Sequence, residues 1–462
     1  MMKTSTYVER RRSLRRAVPE GAILIAGNAD APRNYVDNVY PFRQDSHFLY
    51  YIGVSEPVMA ALLLPDGSEV LFGHLGDPDD LIWHGPHPSL RDHATAAGLG
   101  SHEDYSVLAS RLAGLKRGGQ EIHYLPPYRA QRCIALAHLL DEDPRKVEEG
   151  ASSELVRAVA RQRSVKTSEE IAEIEAALEV TALMYRAAAA SAAPGKTEAH
   201  VAGALQEPAL ARGWQQAFNP IVTVHGEVLH NTSYANTLES GHLLLIDSGA
   251  EASSFYASDI TRVYPVSGRF TSQQRDVYEV VLRAQLAAID LASPSASNRD
   301  LHFAAVRVIA EGMKSLGLMQ GDVDEAVAAG AHALFMPHGI GHMMGLDVHD
   351  MEDLGDVVGY PEGEARSSQF GLAYLRLARR LEPGFVITVE PGVYFIPALI
   401  DKWRAEGLQR DFICYDRISA FRTMGGLRIE DDVLITEDGH RVLGPPIAKV
   451  PDEVEDAVAA GR

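Results

Sequence analysis

The sequence predicts an α/β (α+β) chain in two domains, a smaller α/β domain over 1–160 and a larger one over 161–462. Three observations lead there. At 462 residues the chain exceeds what one ordinary core organises. Short apolar runs punctuated by Gly and Pro alternate with helical patterns along its whole length. A polar, basic stretch, Arg161-Gln162-Arg163-Ser164-Val165-Lys166, separates two regions of different texture.

Each element has its own signal. Residues 7–18 read as a helix closed by Pro19 and Gly21, and strands are predicted at 22–26, 48–52, 59–64 and 69–72, with Pro65-Asp66-Gly67 as a turn. A helical pattern returns over 127–140 and again, more polar, over 152–164. Thr167 and Glu170 form a capping box that opens a long helix to about Ala192, stopped by Pro194-Gly195. Beyond it, strands are predicted at 220–224, 243–246, 260–266, 385–389 and 427–435. Helices are predicted at 197–212, 272–292, 298–317 and 322–334, with loops and a helix between 352 and 380.

Composition limits function. Hydrophobic residues make up 46% and charged residues 23%, the balance of a folded protein rather than a disordered one. A net charge of −20 repels phosphate backbones and excludes nucleic acid as a partner. Two distant cysteines, Cys133 and Cys414, without CxxC spacing, exclude a disulfide framework and a zinc-thiolate site. The apolar run after the amino-terminal arginines is too short for a signal segment, and no stretch has the length of a membrane span. The expected location is the cytoplasm.

Carboxylates stand where strands should be apolar. Leu243-Leu244-Leu245-Ile246 runs into Asp247, Asp259 precedes Ile260-Thr261-Arg262-Val263, Glu390 ends the 385–389 run, and Glu430 interrupts the 427–435 run. One buried acid is explained by a cap or an ion pair. Four in one domain repel one another unless cations sit among them. Asp247 and Asp259 flank a midpoint at Ser253, so a hairpin turning there sets them opposite each other on one face, about 4.5–5.5 Å apart. Such a pair could bridge two cations about 3.5–4 Å apart.

His338, His342 and His349 fall within the glycine-rich stretch Pro337–Asp350, and His230 precedes the Asp247 strand. Oxygen ligands with one imidazole suit a hard or borderline divalent ion: manganese first, with cobalt or zinc as alternatives.

At these residues the chain resembles the pita-bread metallopeptidases, in the Xaa-Pro branch that contains aminopeptidase P and prolidase. Five ordered pieces carry the likeness: Asp247-Ser248-Gly249-Ala250, Ser258-Asp259-Ile260-Thr261-Arg262, His338-Gly339-Ile340-Gly341-His342, Val389-Glu390-Pro391-Gly392 and Arg428-Ile429-Glu430-Asp431-Asp432. Tyr40-Pro41-Phe42-Arg43-Gln44-Asp45-Ser46 and Gly53-Val54-Ser55-Glu56-Pro57 resemble the amino-terminal domain of the same enzymes, which methionine aminopeptidases usually lack. His47 departs from the pattern, which often has an acid there.

The resemblance implies a carboxy-terminal pita-bread (creatinase/aminopeptidase-like) catalytic domain and two divalent metal ions on Asp247, Asp259, His342, Glu390 and Glu430. Asp247 and Glu430 resemble the bridging carboxylates. Glu390 is the implied base towards the attacking water, and His338 assists proton transfer. His230 and His349 line the substrate pocket, and Arg428 either steers substrate or forms a structural ion pair. The implied substrates are small peptides with proline at the second position, and the implied assembly is a homodimer or homotetramer. Trp83 resembles a residue lent to a neighbouring subunit's site, against the alternative of packing in its own domain. Arg376 resembles the prolidase arginine that grips a dipeptide's carboxylate, a task a guanidinium performs bidentately. On Arg376 and the long gaps around it, the dipeptidase is slightly preferred over the aminopeptidase. A metal-free relative, creatinase-like or a binding module, would have lost the ligands that this chain keeps.

Overall fold

In the computed structural model, which describes residues 2–76, 80–83 and 85–460, apolar runs near the start build one mixed sheet. Its strands are β1 (Ala22–Ala26), β2 (Ala60–Leu63), β3 (Glu69–Gly73), β4 (Ser101–Asp104) and β5 (Ile122–His123), in the order β4-β3-β2-β1-β5. The β1–β2 and β2–β3 pairs are antiparallel, the outer two parallel. Leu24, Leu62, Phe72, Leu112 and Leu136 pack between this sheet and its helices.

The predicted strand at 48–52 is instead a helix, Ser46–Ile52. Asp45 caps it by accepting the amide of Phe48, and Gly53, at φ 73°, ends it in the left-handed region. All seven of its residues are buried, so no polar face reveals the helical period. His47 has a local reason for replacing an acid: its Nε2 lies 3.2 Å from Asp353 and its Nδ1 2.7 Å from Arg163.

The chain divides into two units, Met1–Arg163 with Glu352–Val357, and Ser164–Met351 with Val358–Arg462. The second opens with the Thr167–Glu170 capping box ahead of the helix Ser168–Ser191. It contains a small pair, β6 (Gln215–Gln216) with β9 (Ala250–Glu251), and three further sheets. The first is β7 (Ile221–Thr223), β8 (Leu243–Ser248) and β10 (Ile260–Pro265), in the order β10-β8-β7. The second is β11 (Val386–Val389), β14 (Asp431–Ile435) and β15 (His440–Val442), and the third pairs β12 (Gly392–Tyr394) with β13 (Gly426–Arg428). Helices Ser272–Leu291 and Asn298–Ser315 flank them, each opened by a capping box.

Four further expectations need correction. The predicted strand at 427–435 is two, β13 and β14, broken at Ile429-Glu430, where Glu430 makes an isolated bridge with Thr261. The helix predicted at 322–334 is a helix at Val323–Ala328 followed by a 3-10 turn at Ala331–Leu334, interrupted by Gly330 at φ 81°. The 352–380 segment carries only 3-10 turns, Glu352–Leu354 and Leu372–Tyr374. The β8–β10 register pairs Asp247 with Thr261, not with Asp259. The hairpin closes through Ala252 and Tyr256, with Phe255 at φ 69°, which centres it on Ser254 rather than Ser253. The two aspartates are therefore diagonal neighbours, still on one face because their separation is even. Among the described residues, no helix is long and apolar enough to cross a membrane.

Candidate metal centre

Asp247 sits on β8, Asp259 directly before β10, Glu390 directly after β11 and Glu430 between β13 and β14, while His342 projects from the irregular segment after Pro337. Positions in or next to paired strands suit this purpose, since the neighbouring ladders fix where each carboxylate is carried. Glycine permits the close approach of the His342 segment: a Cβ on Gly341 would stand 2.0 Å from the carbonyl oxygen of Thr388. The amide of His342 donates to Thr388 Oγ1 at 3.1 Å.

All ten predicted site residues line one cavity of about 780 Å³ in the second unit: His230, Asp247, Asp259, His338, His342, His349, Arg376, Glu390, Arg428 and Glu430. One donor atom each from Asp259, His342 and Glu430 lie within 4.8 Å of one another, and all three residues are buried. His342 Nε2 is 3.5 Å from Asp259 Oδ2 and 3.9 Å from Glu390 Oε1. His342 Nδ1 faces the carbonyl of Met343 at 3.0 Å. The proton therefore belongs on Nδ1, and the Nε2 lone pair points at the carboxylates.

Asp247 differs from the other acids. Its carboxylate is drawn to the Arg428 guanidinium in a close ion pair. Arg428 also donates to Thr261 Oγ1 at 3.1 Å and to the Tyr394 hydroxyl at 2.8 Å. These partners favour the ion-pair alternative for Arg428 over substrate steering. Thr261 in turn donates to Glu430 Oε2 at 2.6 Å.

The electrostatics show a site under strain as a protein-only arrangement. Burial, then the charges of Asp247, Asp432 and Glu390, pushes the Asp259 carboxyl well above its usual range. Burial, with Asp259 and Glu390 close by, does the same to Glu430. Glu390 moves the other way: burial would raise it, but His338, His342 and Arg428 together hold it below the ordinary value. Burial pushes His338 and His342 down, and pushes His349 down to about 2 with His342 and Arg376 alongside. Arg376 is lowered by burial.

The residues fit divalent cations. Asp259 Oδ1 is buried with no hydrogen-bond partner among the described residues, and oxygen donors surround a single imidazole nitrogen. Positive charge there removes the repulsion that raises Asp259 and Glu430.

Residues that the sequence reading missed complete the site. His338 Nδ1 faces the Gly339 carbonyl at 2.7 Å, and its Nε2 lies 2.9 Å from the Tyr394 hydroxyl. Tyr394 stands two residues beyond Pro391-Gly392, at the end of β12, and that spacing was its only sequence signal. Asp432 accepts the Asp259 amide at 3.1 Å. Phe218, Ile221, Leu229, Phe370, Ile396 and Leu399 supply apolar walls.

The model of metallopeptidase family M24 matches residues 172–437, and that of the aminopeptidase P N-terminal domain matches residues 7–123. The chain belongs to metallopeptidase family M24. The Xaa-Pro aminopeptidase of Escherichia coli (strain K12) is 31% identical over 460 residues, spanning 96% of this chain and 95% of its own. The human Xaa-Pro dipeptidase is 42% identical over 223 residues, 48% of this chain and 44% of its own. A structure of zinc-substituted E. coli aminopeptidase P in complex with product aligns with a TM-score of 0.81 at 29% identity, covering 100% of this chain and 99% of that one. This M24 member is a metallo-exopeptidase with the pita-bread fold and an aminopeptidase P-type amino-terminal domain.

Proposed function

We propose that this M24 enzyme is an Xaa-Pro aminopeptidase, releasing the residue ahead of proline from peptides longer than two residues. The observation that carries the reading is the cluster of Asp259, His342 and Glu430 in a cavity walled by His230, His338, His349 and Glu390. The preference for a dipeptidase drawn from Arg376 yields to two facts. Similarity to the aminopeptidase runs through both parts of the chain, whereas similarity to the human dipeptidase spans 48% of it. The cavity, at about 780 Å³ with an apolar wall extending to Leu399, has room for several residues.

Asp247, Asp259, His342, Glu390 and Glu430 would hold two divalent cations, manganese by preference. When bound, the pair supplies a Lewis acid for the scissile carbonyl and lowers the pKa of water towards neutrality. Glu390, kept ionised by the imidazoles around it, accepts the attacking water's proton on a carboxylate oxygen. His338 moves the second proton at Nε2, where the Tyr394 hydroxyl fixes its ring. His230 and His349 hold the peptide against the apolar wall. Arg376, half-buried at the cavity, takes a carboxylate. Trp83, 79% exposed rather than packed in its own unit, suits the role of a residue offered to a second copy in a homodimer or homotetramer. The expected compartment is the cytoplasm.

A length series tests the reading. With manganese, Xaa-Pro-Xaa tripeptides should be cleaved with kcat/KM well above that for Xaa-Pro dipeptides; the reverse order would return the assignment to dipeptidase. Arg376→Ala should cost about 10-fold on the shortest substrates, the loss of one charged hydrogen bond, and less as the peptide lengthens. Equal losses at every length would remove the carboxylate-gripping role. Chelation should abolish turnover and manganese should restore it; turnover that survives metal-free dialysis would contradict the proposal.

A further inference from the structure

His230 lines the cavity, yet among the described residues its side chain makes no hydrogen bond. Its position is therefore set by the backbone of the segment that bears it, which runs from the end of β7 to Asn236 and has no regular structure. What holds that segment is a residue that does not line the cavity. Glu198, the first residue of the helix Glu198–Leu210, is 0% exposed, and among the described residues no cation pairs with it. A buried acid without a cation is costly unless hydrogen bonds satisfy it.

Glu198 is satisfied from both ends of the His230 segment. The amide of Val224 donates to Oε1 at 2.9 Å, and the amide of Asn236 donates to Oε2 at 2.9 Å. Asn236 Nδ2 lies 3.1 Å from Oε1 and 3.0 Å from Oε2. The Glu198 amide answers by donating to the Asn236 carbonyl at 3.0 Å. The helix N-terminus, where Thr197 caps by accepting the His200 amide, adds a favourable dipole for the carboxylate. Inside the segment, Thr223 Oγ1 accepts from the His225 amide at 2.9 Å and from Asn231 Nδ2 at 3.0 Å.

The segment is also pressed against the metal-centre strands. A Cβ on Gly226 would stand 2.4 Å from the carbonyl oxygen of Gly426, on the strand that carries Arg428. The segment can approach β13 this closely only with glycine on both sides. The backbone of β13 blocks its movement on that side, and Glu198 ties its two ends.

We infer that Glu198 is a positioning residue for substrate recognition: it staples the two ends of the 224–236 segment and so fixes Leu229 and His230 against the bound peptide. The inference rests on the Xaa-Pro reading for its kinetic consequence but not for its structural one. Glu198→Gln keeps the shape and replaces one acceptor oxygen with an NH₂ group facing N–H donors, which strands at least one of them.

The test uses the full-length, manganese-loaded enzyme. E198Q should raise KM for an Xaa-Pro tripeptide about 10-fold, with kcat within about twofold and metal content unchanged. Amide hydrogen exchange should quicken within 224–236 and stay unchanged at β11 and β14. His230→Ala, costly in the wild-type background, should cost little more in E198Q, because the staple acts through His230. Unchanged exchange at 224–236, or full multiplication of the two losses, would overturn the inference. If E198Q fails to fold, Asn236→Ala, which removes the contacts of one side chain and leaves the two backbone donors, carries the same readouts. A wild type that cleaves no Xaa-Pro peptide would sink the functional reading alone, and the exchange comparison would still decide the staple.

Discussion

Asp259→Asn is expected to lower kcat/KM by at least about 10³-fold and to empty much of the metal site, because it removes both a charge and a donor oxygen from the tightest part of the cluster. Misfolding would produce the same kinetic loss, so a stability measurement separates the two. In the metal-free protein the Asp259 carboxyl is raised above its ordinary range by burial and by Asp247, Asp432 and Glu390. A carboxyl whose folded value is raised binds more protons folded than unfolded. Its contribution to stability is therefore lost as pH rises from the ordinary carboxylate range through the folded value. At pH 7 the metal-free wild type bears that penalty and Asp259→Asn does not. Metal-free Asp259→Asn should consequently melt no lower than metal-free wild type, while metal should stabilise only the wild type strongly. A variant that melts lower in both states would point to a structural loss. Full turnover would remove Asp259 from the ligand set.

His338→Ala is expected to cut kcat by about 10²–10⁴-fold, the range for losing a positioned proton-transfer group, with metal content intact. The separation follows from where its nitrogens point. Nδ1 faces the Gly339 carbonyl and Nε2 the Tyr394 hydroxyl, so neither is directed at the acids around His342. Tyr394→Phe should reproduce a smaller part of the same defect by releasing the imidazole. Elemental analysis beside steady-state kinetics checks both variants. Loss of metal in parallel with loss of rate would reassign His338 to the ligand shell.

Much of the site was legible because buried acids are rare and expensive. Asp247, Asp259, Glu390 and Glu430 each broke an apolar run, and an unpaired carboxylate in such a place needs a cation. Capping boxes were legible for the same local reason, as at Thr167 and Glu170. Elements whose pattern is erased by burial were not legible. The helix Ser46–Ile52 is buried on every side, so a strand was the natural reading. The single strand expected over 427–435 failed because the Glu430 backbone turns to meet Thr261, a long-range contact that propensity does not encode. Register failed by two residues because one left-handed residue, Phe255, moved the centre of the turn. Arg428 and Tyr394 show the same limit from the side of chemistry. Their partners, Asp247 and His338, lie far away in sequence, so only the fold reveals an ion pair where a substrate contact was equally plausible.

The most direct test is anomalous X-ray scattering at the manganese edge from crystals grown with that ion. Two peaks ringed by Asp247, Asp259, His342, Glu390 and Glu430 are the expected result. A featureless map at those five side chains, in a protein that still cleaves Xaa-Pro peptides, would contradict the account.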